Sequence, residues 1–214
     1  NSAAAASSRS LSAPDTQPIP PRPLAPSRPD GDEPAARSPL AAGDDGKRFL
    51  RGKLIHRLLQ GLPELPRDKR AQAMMRWLTK AGGRDFDTPE RLRIANEVTD
   101  VLDHPSFAPL FAPGSRAEVP VAGRIGDRAM AGQVDRLAVT DTEVLVVDYK
   151  TNRRPPAGAE EIPDLYVRQM AAYRLALACV YPKHHVRCAL VWTDGPTLME
   201  IDAHRLDEAL ADML

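Results

Sequence analysis

Glu143-Val144-Leu145-Val146-Val147-Asp148-Tyr149-Lys150 is apolar on both faces until it reaches Asp148. A strand with that pattern is covered on both sides by other layers, so it belongs in the middle of a sheet. Asp148 and Lys150 stand two apart on it, which sends their side chains out on one face. The strand before it carries Gly132-Gln133-Val134-Asp135-Arg136-Leu137. A two-residue turn at Thr140-Asp141 would pair Gln133 with Asp148 and make Asp135 a diagonal neighbour on that face, with Cβ atoms about 7 Å apart. A three-residue turn would put Asp135 on the opposite face unless a bulge intervenes.

Two carboxylates beside an ammonium group suit the cleavage of a phosphodiester. A hard divalent cation prefers carboxylates, a backbone carbonyl and water, and it polarises a phosphoryl oxygen and makes hydroxide available near neutral pH. Lys150 can orient that water or steady the charge that develops on phosphorus. An Asp-x-Lys triplet alone is common on solvated surfaces; at the end of a central strand, with a second aspartate on the adjoining strand, it gains meaning. His56 lies between Ile55 and Arg57 at the edge of an apolar helical stripe, where an imidazole can reach inward as a third ligand. Gln169 and Tyr173 are four apart on a later helix and share a face, from which they can contact a phosphate or brace Lys150.

Residues 116–122, 132–139 and 143–149, rich in Val, Leu and Ile and punctuated by Gly and Asp-Thr turns, read as three strands. A helix over 163–181, a strand over 185–193, a turn at Asp194-Gly195-Pro196, a short strand over 197–201 and an amphipathic helix with Leu206, Leu210 and Met213 complete the chain. Upstream, Leu50, Leu54, Ile55, Leu58, Leu59 and Leu62 recur at helical spacing, with Gly61 as the stop. A second helix starts at Pro66, carries Ala71, Met74, Met75 and Leu78 on one face, and ends at Gly82-Gly83. Thr88 as N-cap and Pro89 in the first turn open a third helix through Leu92, Ala95, Val98, Val101 and Leu102. Helices first, then β-β-β-α-β-β-α, predict an α/β fold with helices packed on a mixed sheet.

The 214 residues carry 29 basic and 29 acidic side chains, so no global charge draws the chain toward nucleic acid or membrane. The balance hides a gradient: residues 46–199 hold 24 basic against 18 acidic side chains, and both ends are acidic. Nine of the 21 prolines fall in residues 1–45, which have no helical or strand period and read as a proline-rich linker or disordered arm. Cys179 and Cys188 are the only cysteines and read as small buried hydrophobes in a reducing, cytoplasmic setting. No apolar run is long enough to span a membrane, and the Ala-Ser-rich start lacks a signal-peptide core. His184-His185 has no partner at zinc spacing, so no zinc is expected.

Taken together, Gly52-x-x-x-His56, Gly132-x-Val134-Asp135-Arg136, Asp148-Tyr149-Lys150-Thr151 and Gln169-x-x-x-Tyr173 resemble the RecB-type nuclease domain of the PD-(D/E)XK superfamily. The resemblance spans nearly all of residues 46–214 and is closest to the C-terminal nuclease domain of the AddA subunit of AddAB helicase-nucleases. It implies a restriction-endonuclease-like mixed sheet flanked by helices, with a helical N-terminal part. It also implies a Mg2+-dependent deoxyribonuclease, exonuclease or endonuclease, with Mn2+ able to substitute, that acts on DNA single strands during double-strand break processing and recombinational repair.

By the resemblance, His56, Asp135, Asp148 and the Tyr149 carbonyl ligate metal, Lys150 is catalytic, and Gln169 and Tyr173 support the site. Family members often carry a glutamate on the strand of Glu118, which is a further candidate. Arg124, Arg128, Arg136, Arg153 and Arg154 surround the acidic pair in sequence and are candidates to line a channel for a single strand. Some relatives hold an iron-sulfur cluster on four cysteines; two cysteines exclude that here and favour the AddA side. No G-x-x-x-x-G-K-[ST] occurs, and Gly43-Asp44-Asp45-Gly46-Lys47-Arg48 is too short to replace it. The motor is therefore expected in a helicase region of the same longer polypeptide, a view that fits a start at Asn1, with residues 1–45 as the tether and an AddB-like subunit as partner. The alternative from another class is a catalytically inactive domain of this fold that serves as a DNA-binding or assembly platform. Retention of Asp135, Asp148 and Lys150 argues against it.

Overall fold

The computed structural model describes residue 25 and residues 44–214 apart from 81 and 153. The proline-rich arm expected over 1–45 thus lies almost wholly outside the described residues, as does Arg153 of the arginine cluster. Five helices and five strands follow one another as α1 (Asp44–Gly61), α2 (Arg67–Lys80), α3 (Thr88–Asp103), β1 (Arg116–Ile125), β2 (Arg128–Val139), β3 (Glu143–Lys150), α4 (Asp164–Val180), β4 (His185–Trp192), β5 (Thr197–Glu200) and α5 (Ala203–Ala211). Among the described residues no helix is long and apolar enough to cross a membrane.

The strands form one sheet in the order β1-β2-β3-β4-β5, antiparallel except for the parallel pair β3–β4. The doubly apolar strand is therefore the middle one, as its sequence requires. Val144 and Val146 face α4 and α5 in one core, and Val147 and Tyr149 face α1 and α3 in the other. Each such buried valine contributes about 1.5–3 kcal/mol relative to an exposed one. The result is the expected mixed sheet with helices on both sides and a helical N-terminal part.

Local details depart from the sequence reading. Asp87, not Thr88, caps α3, its carboxylate accepting the Glu90 N–H at 2.8 Å, so Thr88 is the first helical residue. Met75 and Leu92 point to solvent, while Met74, Leu78, Ile94, Ala95, Val98 and Val101 form the apolar faces. A 3-10 segment, Pro105–Phe111, buries Phe107 and Leu110 beneath the sheet. The β1–β2 hairpin runs on to Ile125 and Arg128, past the ends expected at 122 and 132. Gly123, which reads as a strand breaker, is instead a close approach, since a Cβ there would meet the Cβ of Ala176 at 3.2 Å. Cys188 is buried as expected, but Cys179 is exposed.

The β2–β3 turn has two central residues, as one of the two expected turns required, but they are Asp141 and Thr142. The Thr140 N–H donates to the Glu143 carbonyl at 2.9 Å. That slides the pairing by two residues, so Arg136 lies opposite Val147 and Val139 opposite Val144. A slide of two preserves the faces. The ladder ends at Arg136↔Val147, and beyond it the Asp135 side chain, not the strand backbone, meets β3 at the Tyr149 N–H.

Candidate active site

The backbone ladder between β2 and β3 is recorded from Arg136↔Val147 to Val139↔Val144. One residue further on, the Tyr149 N–H donates to the Asp135 carboxylate at 2.7 Å. The other carboxylate oxygen lies 3.3 Å from His56 Nδ1, so the helix α1 and the two strands meet at this one side chain. Gly52 explains how α1 comes so close: a Cβ there would stand 2.8 Å from Thr151 Oγ1. The Gly-x-x-x-His spacing therefore brings the helix backbone against the end of β3 with one residue and aims the imidazole with the other.

On the α4 side, Gln169 holds the other two groups. Its amide nitrogen donates to Asp148 Oδ1 at 2.9 Å and its carbonyl accepts from Lys150 Nζ at 3.0 Å, while Lys150 reaches Asp148 Oδ2 at 2.7 Å. All three side chains are buried. Tyr173, one turn further along, is fully buried, and its hydroxyl donates to the Gln133 carbonyl at 2.9 Å. Burial removes it from contact with a phosphate and makes it a brace between α4 and β2. Gly132 leaves room for that ring, since a Cβ would meet Tyr173 Cε1 at 2.7 Å.

The electrostatics follow from crowding four ionisable groups at one strand end. Burial would raise Asp135, but the His56 charge and hydrogen bond, the Tyr149 N–H and Lys150 outweigh it and hold the carboxyl below its ordinary range. For His56 burial works downward, yet Asp135 and Asp148 more than offset it and keep the imidazole pKa above the usual value. Burial and the nearby Asp135 charge push Asp148 up against the pull of Lys150. Burial alone would lower Lys150, but Asp148, Tyr166 and Asp135 raise it, so its ammonium stays protonated at neutral pH.

Glu118 belongs to the same cluster. It stands at the β1 position opposite Asp135, where the register skips from Ala117↔Arg136 to Val119↔Val134, and its φ is 53°. Such a left-handed conformation is uncommon outside glycine and marks a locally strained strand. Burial and the Asp135 charge raise its pKa, with His56 and Arg57 opposing.

Three carboxylates, an imidazole and a main-chain carbonyl at one strand end are the donors a hard cation takes. Burial raises the pKa of both Asp148 and Glu118, and the charge of Asp135 adds to it, so the three carboxylates lie within one another's field. Among the described residues, however, no three His, Cys, Asp or Glu side chains already converge as a closed coordination cage. Asp135 is turned toward His56 and Tyr149, and Asp148 toward Lys150 and Gln169.

Several participants escaped the sequence reading. The Tyr166 ring centre lies 3.8 Å from Lys150 Nζ, and its hydroxyl accepts from the Asn152 amide at 2.8 Å. Tyr166 is three before Gln169 on α4, so helical spacing alone could have found it. Behind the strand end, Arg51 pairs with Glu97 and donates to the Thr151 carbonyl at 3.4 Å. The Thr193 hydroxyl donates to Glu97 at 2.5 Å, and the Thr193 N–H donates to the Lys150 carbonyl at 3.0 Å. Glu97 sits within the apolar stripe Ile94-Val98-Val101, a carboxylate on a buried face that was itself a signal.

The arginine cluster divides. Arg136 is buried under the sheet, donating to the Leu110 carbonyl at 2.9 Å and stacked on Phe111, so it lines no channel. Arg124 and Arg128 lie at the far end of the β1–β2 hairpin, and Arg154 is exposed in the loop after β3.

The sequence profile of the PD-(D/E)XK nuclease superfamily matches residues 35–210. No curated protein matches the chain at a significant level. Among solved structures that do, the crystal structure of SSO0001 is 14% identical, with 78% of this chain and 84% of that chain covered and a TM-score of 0.33.

Proposed function

This chain belongs to the PD-(D/E)XK nuclease superfamily, and from that premise we propose that residues 46–214 are a metal-dependent deoxyribonuclease domain with its active site at the end of β3. The observation that carries the proposal is the placement of Lys150 Nζ 2.7 Å from Asp148, locked by Gln169, beside an Asp135 that already engages His56. Asp135, Asp148, the Tyr149 carbonyl and His56 would hold Mg2+, or Mn2+ in its place, with Glu118 available nearby. When bound, the ion would supply Lewis acidity and a water of lowered pKa.

The side chains divide the remaining work. Lys150, protonated at neutral pH, cannot act as a base; it donates hydrogen bonds to a non-bridging phosphate oxygen and stabilises the charge that builds up as water attacks in line and the 3'-oxygen leaves. Gln169 keeps the ammonium and the Asp148 carboxylate in register, and Tyr173 fixes β2 relative to α4. These groups need a few tenths of an ångström of precision, which buried helix and strand positions provide better than loops.

The finer reading is an AddA-like nuclease domain, cytoplasmic, joined through residues 1–45 to a helicase region of a longer polypeptide, working with an AddB-like subunit on DNA single strands at broken ends. It is supported by the order of the four motifs and by the lack of four cysteines. The test is hydrolysis of labelled single-stranded DNA in Mg2+ by the wild type, Asp148→Ala and Lys150→Ala. Cleavage by the wild type that both substitutions abolish supports the assignment, and cleavage that survives both defeats it. Binding of DNA without cleavage, in the presence of the helicase region, would favour the inactive-platform reading.

A further inference from the structure

The outer face of α1 pairs cations with aromatic rings. At about 100° per residue, Phe49, Lys53, His56 and Arg57 fall within one arc of the helix roughly 100° wide. Lys53 Nζ lies 5.4 Å from the Phe49 ring centre, and Arg57 Cζ lies 5.5 Å from that of Trp77 on α2. Lys53 and Arg57 are exposed, and among the described residues no carboxylate forms an ion pair with either. Trp77 is 37% exposed. The exposed part of the Trp77 indole lies beside an exposed guanidinium, and this pairing is how single-stranded nucleic acid is held: rings stack bases and cations follow phosphates.

The face is continuous with the active site. His56, at one edge of the arc, touches Asp135, and the Arg57 charge is felt by Glu118. Lys53 and Arg57 are one helical turn apart, about 6 Å along the axis.

We infer that Phe49, Lys53, Arg57 and Trp77 form a track for single-stranded DNA, which leads the strand across α1 to the scissile position beside His56. The inference deepens the proposed function and rests on it. A duplex fits less well, because its bases are stacked internally and offer no free face to Trp77.

The chain carries its own probe. Of its two tryptophans, Trp192 is 2% exposed, so only Trp77 can stack on a base. The full chain is titrated with an oligothymidylate in EDTA, which prevents cleavage, while tryptophan fluorescence and anisotropy of a labelled strand are followed. The track predicts quenching that disappears in Trp77→Phe while affinity largely persists, and a loss of about 5- to 150-fold in Trp77→Ala. Lys53→Ala with Arg57→Ala should flatten the slope of log affinity against log salt by about 1.4, two phosphate contacts on a single strand. Circular dichroism and thermal melts of each variant establish that these surface changes leave the fold intact.

Unquenched fluorescence on a bound strand, or an unchanged affinity and salt slope in the variants, overturns the track, as does equal quenching by a duplex. Failure of the nuclease reading shows separately, as absence of Mg2+-dependent cleavage by the wild type; quenching that persists in that case still establishes the track as a binding surface.

Discussion

Tyr166 lies beneath the Lys150 ammonium, its ring centre 3.8 Å from Nζ. With Asp148 and Gln169 on the remaining sides, the cation is held from three directions, each partner buried. A desolvated cation–π contact is worth about 2 kcal/mol, comparable to a charged hydrogen bond. Tyr166→Leu should therefore lower kcat roughly 10- to 30-fold with little change in KM, whereas Tyr166→Phe, which keeps the ring, should retain most activity. Steady-state cleavage kinetics of the two variants distinguish these outcomes; equal effects would assign the role to the hydroxyl and Asn152.

The Arg51–Glu97 pair is buried behind the strand end and reaches Thr151 and, through Thr193, the Lys150 carbonyl. Glu97→Ala leaves the buried Arg51 only its looser 3.5 Å contact with Glu90, so it should cost up to about 3–5 kcal/mol in urea unfolding. Arg51→Met combined with Glu97→Leu should recover most of that loss, because replacing a buried ion pair by apolar groups is often neutral. A double variant as unstable as the single would show that the hydrogen bonds to the strand end, and not the poorly compensated charge, are what matter.

Gly132 and Gly52 both admit a close neighbour, but the neighbours differ. A Cβ at Gly132 meets a fully buried ring, and one at Gly52 meets a threonine hydroxyl that can rotate. Gly132→Ala should destabilise by about 1–3 kcal/mol, and Gly52→Ala by less. Thermal denaturation of the two variants orders them, and the reverse order would contradict the packing of Tyr173.

Ion pairing between His56 and Asp135 sets a pH window in the metal-free protein. His56 has a raised folded-state pKa, so its contribution is complete below its unfolded value of about 6.5 and is lost as pH rises through the folded value. Asp135 has a lowered pKa, so its contribution is complete above about 3.9 and is lost as pH falls through the folded value. The destabilisation caused by Asp135→Asn in EDTA should thus be largest between about pH 4 and 6.5 and shrink on both sides. Urea denaturation across pH measures this; a flat difference would mean that the contact carries no charge.

Much of this site could be read from the chain because it depends on local regularities. The doubly apolar Val144–Val147 run fixes a central strand, the period of two puts Asp148 and Lys150 on one face, and the turn parity brings Asp135 to them even though the register is displaced by two. What stayed hidden depends on tertiary context. Arg136 looked like a surface cation, but the 3-10 segment Pro105–Phe111 folds over it and supplies the Leu110 carbonyl and the Phe111 ring. Met75 and Leu92 carry apolar side chains on faces that no described element covers, so composition misassigned them. Tyr173 and Gln169 were visible as a pair, yet only the packing of Gly132 against the Tyr173 ring shows which of the two is the brace.

The central claim is that the end of β3 gathers a divalent ion between Asp135 and Asp148. Crystals soaked in Mn2+ and measured at the manganese absorption edge test it directly. The account predicts an anomalous peak bonded to both carboxylates and the Tyr149 carbonyl, with His56 turned toward it, and no peak in Asp148→Asn. Manganese bound elsewhere, or none at this position in a protein that still cuts DNA, would contradict it.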